Sequence, residues 1–371
     1  MKLLEIKPEI FRFNSCKEFA EEFSVGEEDL IFTNKFLYES FFKPMELKCS
    51  YIFQETYNLK EPSDDIIDKI IKDTSCKGFK RVIAVGGGSI IDISKILVLK
   101  AVDKVSELFE KKVPPVKEKK LIIIPTTCGT GSEVTNISIA EIKAKETKMG
   151  LASTELYADY AILIPELVRN LPYDFFMYSS IDALIHAMEA LVSPKANSYT
   201  ELYSVEAIKM ILRGYKEIIE KGQDYRKEII EDFLIASNYA GIAFGNAGVG
   251  AVHALSYPLG GKYHVPHGEA NYQFFIEIFK FYNEMAPMGK ISKVNTLLSQ
   301  LLASKEEEVY TSLEKLLSQL INKKQLRQYG MEEREIDVFT DSVIATQQRL
   351  LANNYVSMSK DEIWQGYRNL Y

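Results

Sequence analysis

Histidine and cysteine are scarce in this 371-residue chain, four of each, and tryptophan occurs once. Cys16, Cys49, Cys76 and Cys128 are scattered and contain no C-x-x-C pair, which excludes a zinc ribbon and a disulfide framework of the kind that staples small secreted domains. No secretory start is expected, because residues 1–14 are interrupted by Glu5, Lys7 and Glu9. No apolar run approaches the length needed to span a bilayer, so no membrane partner is expected, and the natural setting is a reducing cytoplasm. Positive charge is not in excess either. At a net charge of −7 and with no basic stripe, the chain lacks the electrostatic footprint of a nucleic-acid binder. The charged run 305–308 reads as a solvated helix face.

Three of the four histidines, with one aspartate, stand at the spacing of a single metal site. Asp182 and His186 are four apart in an apolar-periodic stretch, so a helix sets both on one face about one turn apart. His253 lies in a short helical pattern expected to stop at Pro258 and Gly260-Gly261, and His267 follows Pro266 where a new helix would begin. A lone histidine on an apolar helix is more often a packed core residue than a ligand. The joint pattern, flanked by the small residues Ala183, Ala187, Ala254 and Gly268, is harder to assign to packing. One carboxylate and three imidazoles suit Fe²⁺ or Zn²⁺ and suit Ca²⁺ poorly. His264 is left either as a support for His267 or as a surface or packed residue.

Glycine and threonine form a second pattern. Residues 81–85 read as a buried strand, Gly86-Gly87-Gly88 as a tight turn, and residues 89–99, opened by Ser89, as a helix. Such a turn is either a phosphate cradle, in which backbone N–H groups and the helix N-terminus face an anion, or a plain strand-to-helix connection. It is not the G-x-G-x-x-G fingerprint. A second strand at 121–124 leads into Pro125-Thr126-Thr127-Cys128-Gly129-Thr130-Gly131-Ser132, whose hydroxyls can bond ribose and phosphate oxygens.

Taken in order, Gly86-Gly87-Gly88-Ser89-x-x-Asp92-x-x-Lys95, Pro125-Thr126-Thr127-x-Gly129-Thr130-Gly131-Ser132-Glu133, Asp182-Ala183-Leu184-x-His186-x-x-Glu189 and Pro266-His267-Gly268 resemble the iron-containing (group III) alcohol dehydrogenases. The resemblance covers nearly the whole chain. It implies Asp182, His186, His253 and His267 as ligands of Fe²⁺, with Zn²⁺ as the alternative, and NAD as the cofactor. Gly86, Gly87, Gly88, Ser89, Asp92, Thr126, Thr127, Thr130 and Lys148 would line the dinucleotide. Asn34 falls where the family often has an aspartate on the ribose. Tyr257 replaces a further family histidine near the substrate, Ile164 the aspartate of an Asp-Pro-Glu-Leu run, and Tyr355 stands where an Asn-Pro turn is common. A homodimer is also implied.

The fold expected is an α/β dinucleotide-binding domain with a parallel sheet, residues 1–171, and an all-helical metal and substrate domain, residues 172–371. This is the dehydroquinate synthase-like, iron alcohol dehydrogenase architecture. Helices are expected at 200–221, 225–244 and 290–320. The implied reaction is hydride transfer between NAD and a small alcohol. Within the family, the 125–132 loop, Tyr257 and the 260–269 segment point to 4-hydroxybutyrate and succinate semialdehyde, with Lys262 and Tyr257 as partners for the substrate. A general butanol or 1,3-propanediol enzyme is the alternative. A dehydroquinate-synthase-like lyase, which would need several cations near the ligand motifs, fits less well.

Overall fold

Strands buried on both faces are built from continuous branched aliphatic runs, and this chain has several. The computed structural model describes residues 2–59, 61–145 and 147–371, with Thr147 as backbone only. It separates into two units, Ile6–Leu171 and Pro172–Tyr371, the second of which also takes residues 2–5. Those first residues depart from the expected boundary because they bond to helical-unit asparagines. The Glu5 N–H donates to Asn246 Oδ1 (2.7 Å), Asn246 Nδ2 donates to the Glu5 carbonyl (3.1 Å), and Asn197 Nδ2 donates to the Leu3 carbonyl (3.0 Å).

The first unit contains β1 (Glu9–Arg12), β2 (Asp29–Thr33), β3 (Ser50–Phe53), β4 (Arg81–Gly86), β5 (Lys120–Pro125), β6 (Ile137–Ile142), β7 (Thr147–Ala152) and β8 (Tyr160–Leu163). Helices α1 (Cys16–Glu22), α2 (Lys35–Leu37), α3 (Asp64–Thr74), α4 (Gly88–Leu97), α5 (Ser106–Phe109) and α6 (Pro165–Val168) accompany them. One sheet runs β1-β8-β5-β4-β2-β3 with every neighbouring pair parallel, and β6 and β7 form a separate antiparallel ribbon. Its core places Phe32, Val82, Ala84, Leu121 and Ile123 with Ile67 and Ile70 of α3 and Ile91 of α4. Because β4 lies between β2 and β5, and Gly86 pairs with Pro125, the carboxyl ends of three adjacent strands bring Asn34, the 86–88 turn and the 125–135 loop to one edge. That edge is where open α/β sheets bind ligands.

The second unit is helical: α7 (Tyr173–Val192), α8 (Ser198–Lys221), α9 (Ile230–Ala247), α10 (Ala251–Tyr263), α11 (His267–Met285), α12 (Lys290–Leu302), α13 (Val309–Ser318), α14 (Glu335–Thr346), α15 (Gln348–Leu351) and α16 (Lys360–Leu370). An Asn197 capping box starts α8, and Ser359 with Glu362 does the same for α16. By length and composition α7 could cross a membrane, contrary to the reading that no run is long enough. Its apolar window is 83% buried, however, which makes it the central core helix of this unit.

Three other expectations are corrected. Residues 225–244 do not form one helix: a 3-10 turn, Gln223–Lys227, comes first, with Arg226 buried near the rings of Tyr173 and Phe176, and α9 begins only at Ile230. The stretch 290–320 breaks at Ala303, which is left-handed (φ 52°), giving α12 and α13 with the exposed acidic 3-10 turn Glu306–Glu308 between them. Pro258 does not stop α10, which runs through Gly260 and Gly261 to Tyr263. The proline removes one ladder bond, but the carbonyls beside the gap gain side-chain donors: Ser256 Oγ donates to His253 O (3.0 Å) and Tyr367 Oη to Leu255 O (2.6 Å).

Candidate functional site

Helical spacing assembles the polar set of the second unit. On α7, Asp182, His186 and Glu189 recur at four and then three residues and share a face; α10 carries His253 and Tyr257 one turn apart; α11 opens with His267 and places Asn271 one turn later. One ligand atom from each of Asp182, His186, His253 and His267 lies within 4.8 Å of the others. His253 Nε2 is 2.9 Å from His186 Nε2 and 3.8 Å from Asp182 Oδ1, and His267 Nε2 is 3.9 Å from the same oxygen.

Surrounding groups fix how these rings present their nitrogens. Glu189 Oε2 takes the His253 Nδ1–H at 2.5 Å, which leaves Nε2 with its lone pair toward the other ligands, and Glu189 Oε1 accepts the Val252 N–H at 2.8 Å. Asn271 Nδ2 donates to Asp182 Oδ1 (2.7 Å) and lies 3.2 Å from His267 Nε2, while its own Oδ1 accepts from Ser256 Oγ. Phe244 of α9 stacks on His186 with centroids 4.1 Å apart. Burial pushes the Asp182 carboxyl up, but the three histidines and the Asn271 bond outweigh it and hold the group below its ordinary range. Burial favours a neutral His253, yet the Glu189 charge and hydrogen bond outweigh it and raise its pKa.

Asp182, His186 and His253 are buried, whereas the His267 side chain is 43% exposed. The set is therefore open on one side. Tyr257 stands there, its ring centroid 6.0 Å from that of His267. One carboxylate and three imidazoles converging in this way, with a carboxylate behind one imidazole, fit a borderline divalent ion.

Lys262 is not brought to this set. It lies in the last turn of α10, exposed, and its ammonium pairs with Glu335, which Tyr263 Oη also contacts. His264 is the exposed left-handed residue ending α10 (φ 53°), a cap and not a support for His267.

In the first unit Gly86 ends β4, and Gly87, the N-cap of α4, brings no side chain between the start of that helix and its surroundings. A Cβ at Gly86 would collide with Ile90, which accounts for that glycine by packing. Gly87 and Gly88 instead face the threonine loop: Cβ atoms there would lie 3.8 Å from Thr127 Cγ2 and 3.4 Å from Thr130 Cγ2. The Thr126 N–H donates to the Gly86 carbonyl (3.2 Å), and Thr130 Oγ1 accepts the Ser132 N–H. The backbones thus run side by side, an arrangement that a glycine turn at a helix start can offer to an anion. Ser89 sits in the first turn of α4. Asn34 follows β2, and its Nδ2 donates to Gln54 Oε1 (2.7 Å).

Asp92 and Lys148 take other partners. Asp92 Oδ1 accepts from Ser132 Oγ (3.1 Å) and Oδ2 from the Ile139 N–H (3.0 Å), so both oxygens fasten the loop to α4. Lys148, on β7, pairs with Glu61 at 2.5 Å. Beside Asp92, Lys95 is fully buried; its ammonium donates to Ser132 Oγ (2.8 Å), Thr135 Oγ1 (3.1 Å) and the Ile137 carbonyl (2.7 Å), and burial lowers its pKa to about 8. The sequence motifs alone assign no role to Lys95, Glu189 or Asn271. Glu189 lies seven residues after Asp182, a spacing that places it on the ligand face; Asn271, four after His267, could be found the same way.

Comparison with known proteins follows the same division of the chain. A family model described as iron-containing alcohol dehydrogenase matches residues 8–165, and one described as Fe-containing alcohol dehydrogenase family, C-terminal, matches residues 176–371. The chain is 60% identical over 371 residues to a 4-hydroxybutyrate dehydrogenase of Clostridium kluyveri, covering 100% of both. It is 34% identical over 314 residues to long-chain-alcohol dehydrogenase 1 of Geobacillus thermodenitrificans, covering 82% of this chain and 78% of that one. A crystal structure of sulfoacetaldehyde reductase from Bifidobacterium kashiwanohense in complex with NAD+ superposes with a TM-score of 0.86 at 22% identity, over 99% of this chain and 98% of that one. At that identity the superposition bears on the fold alone.

Proposed function

The chain belongs to the iron-containing alcohol dehydrogenase family, and from that premise we propose that it interconverts 4-hydroxybutyrate and succinate semialdehyde by hydride transfer with NAD. The observation that carries the substrate is the 60% identity, over the full length of both chains, to a relative named for that activity. Two polar sets make chemical sense together under this reading. A cradle of backbone amides and threonine hydroxyls suits a dinucleotide pyrophosphate, and an Asp-His-His-His set suits a divalent ion, Fe²⁺ by family and Zn²⁺ as the alternative.

When bound, such an ion supplies Lewis acidity toward the oxygen of an alcohol or aldehyde. The protein's own groups prepare that chemistry. Asp182 contributes the one negative charge among the ligands, Glu189 holds His253 in a fixed tautomer, and Asn271 restrains Asp182 and His267 together. Phe244 shields His186 from water, while the exposed side at His267 and Tyr257 admits substrate. NAD, when bound, would supply the hydride acceptor for the carbinol carbon, with the hydroxyl proton going to solvent. A substrate carboxylate needs hydrogen-bond donors, and the Tyr257 hydroxyl is the group we assign to it. A cytoplasmic homodimer is part of the same proposal; the four cysteines are all free.

The deciding measurement compares succinate semialdehyde with butanal, which matches its chain length but lacks the charge. We expect NADH-dependent reduction of the charged aldehyde with the higher kcat/KM, reduced by Tyr257→Phe. Equal efficiency would overturn carboxylate recognition and move the assignment to a general primary-alcohol or diol enzyme. That alternative draws on one observation, the pairing of Lys262 with Glu335.

A further inference from the structure

We infer that Asn353 and Asn354 form a clamp that positions His253 and thereby sets how tightly the metal ion is held. This rests on the reading of Asp182, His186, His253 and His267 as the ligands. Neither asparagine is among those ligands, and both are 6% exposed in the segment between α15 and α16. What they grip is the turn 248–250, which joins α9 to α10.

Asn353 Nδ2 donates to two carbonyls across that turn, Ala247 O (3.0 Å) and Val249 O (3.1 Å), and its Oδ1 accepts from Ser193 Oγ at the end of α7 (3.3 Å). Asn354 Oδ1 accepts the Ala251 N–H (3.0 Å) at the first residue of α10 and also the Tyr282 hydroxyl of α11; its Nδ2 donates to the Val356 carbonyl (2.6 Å). Side-chain-free residues permit this closeness. A Cβ at Gly248, which has φ +78°, would lie 2.7 Å from Asn353 Nδ2, and one at Gly250 would lie 2.7 Å from Asn354 Oδ1. The next N–H, that of Val252, is taken by Glu189 (2.8 Å). Two successive first-turn donors of α10 are therefore fixed from outside, one by Asn354 and one by the carboxylate that also holds His253 Nδ1. Height and roll of the helix start are defined two residues before the ligand, and a ligand displaced by a fraction of an ångström loses affinity.

The test measures release of Zn²⁺ from the loaded full-length protein into a chromophoric chelator, together with the competition Kd. Asn354→Ala is expected to weaken the ion about tenfold or more and to speed its release, within the range seen when groups behind a ligand are removed. Tyr282→Phe, which deletes one donor to Asn354 Oδ1 and keeps the ring, gives a smaller shift in the same direction and serves if the alanine variant does not fold. Asn295→Ala is the control: this asparagine is equally buried and bonds Asn283 and Tyr310, away from the turn, so it lowers the melting temperature without moving the Kd. Wild-type affinity in both Asn354→Ala and Tyr282→Phe, alongside loss of the ion in His253→Ala, overturns the clamp. A shift in Asn295→Ala as large as in Asn354→Ala overturns it too, by making the effect one of general stability. A wild-type chain that takes up no divalent ion overturns the ligand reading itself.

Discussion

Replacing Lys95 by Met should expose a buried charge through the pH dependence of stability. The Lys95 ammonium is fully buried and its pKa falls from 10.5 to about 8, chiefly through desolvation, with Asp92 and Glu133 pulling it back. Because the folded value is the lower one, the native state sheds its proton first. Between about pH 8 and 10.5 the unfolded chain binds more protons, so stability attributable to this residue rises with pH. Integrating that difference from pH 7 to 9.5 gives about 2 kcal/mol. The substitution has a separate, pH-independent cost: Ser132 and Thr135 lose a bond and the Ile137 carbonyl loses a donor, on the order of 1–3 kcal/mol for buried groups left unsatisfied. Equilibrium guanidinium unfolding of wild type and Lys95→Met at both pH values, followed by circular dichroism, separates the two, since titrating groups that do not interact with Lys95 cancel in the difference. Wild-type stability minus variant stability should rise by about 2 kcal/mol at the higher pH. A signed difference that stays constant or falls refutes the assignment of Lys95 as a desolvated cation.

Asp182→Ala and His267→Ala should each lose bound metal and turnover together, read by metal analysis and NADH production; full activity from a chelated protein with a verified empty site contradicts the ligand set. Glu189→Gln keeps the shape behind His253 but removes the charge, and should weaken metal binding about 10- to 100-fold, measured by chelator competition. Asn34 keeps the hydrogen-bonding capacity of an aspartate without its repulsion of a 2′-phosphate, so NAD should be preferred over NADP and Asn34→Asp should widen the ratio of their kcat/KM values. Better kinetics with NADP in wild type would reverse that reading.

Residues that repeat at the helical or strand period are legible in the sequence itself. Asp182 with His186, and the aliphatic runs of β2, β4 and β5, depend on spacing within one element, and spacing is what a sequence displays. Edge strands were not: β1 has four residues, mostly exposed, with nothing to distinguish them from loop. The continuation of α10 past Pro258 was hidden for another reason. Its compensating donors include Tyr367, more than a hundred positions away, so local propensity pointed to a stop that tertiary bonds override. The pairing of Lys262 with Glu335 was hidden in the same manner, since nearness in sequence to His267 says nothing of Glu335.

Under the proposed ligand reading, the division of labour among Asp182, His186, His253 and His267 bears on how substrates are distinguished. Asp182, His186 and His253 have side chains no more than 6% exposed, and their orientation is fixed by Glu189, Asn271 and Phe244, none of which needs a substrate to be in place. An ion held there senses only the reacting oxygen. Discrimination between a charged four-carbon aldehyde and a plain one must then come from the exposed side, where His267 meets Tyr257. Tyr257 is four residues from His253 on the same helix, so changing its side chain alters what the open side offers while leaving the backbone that carries the ligand in register. Tyr257→Phe is accordingly expected to change the ratio of kcat/KM for succinate semialdehyde over butanal without changing metal content. A variant that loses metal along with selectivity would show that the tyrosine supports the ligands and does not read the substrate.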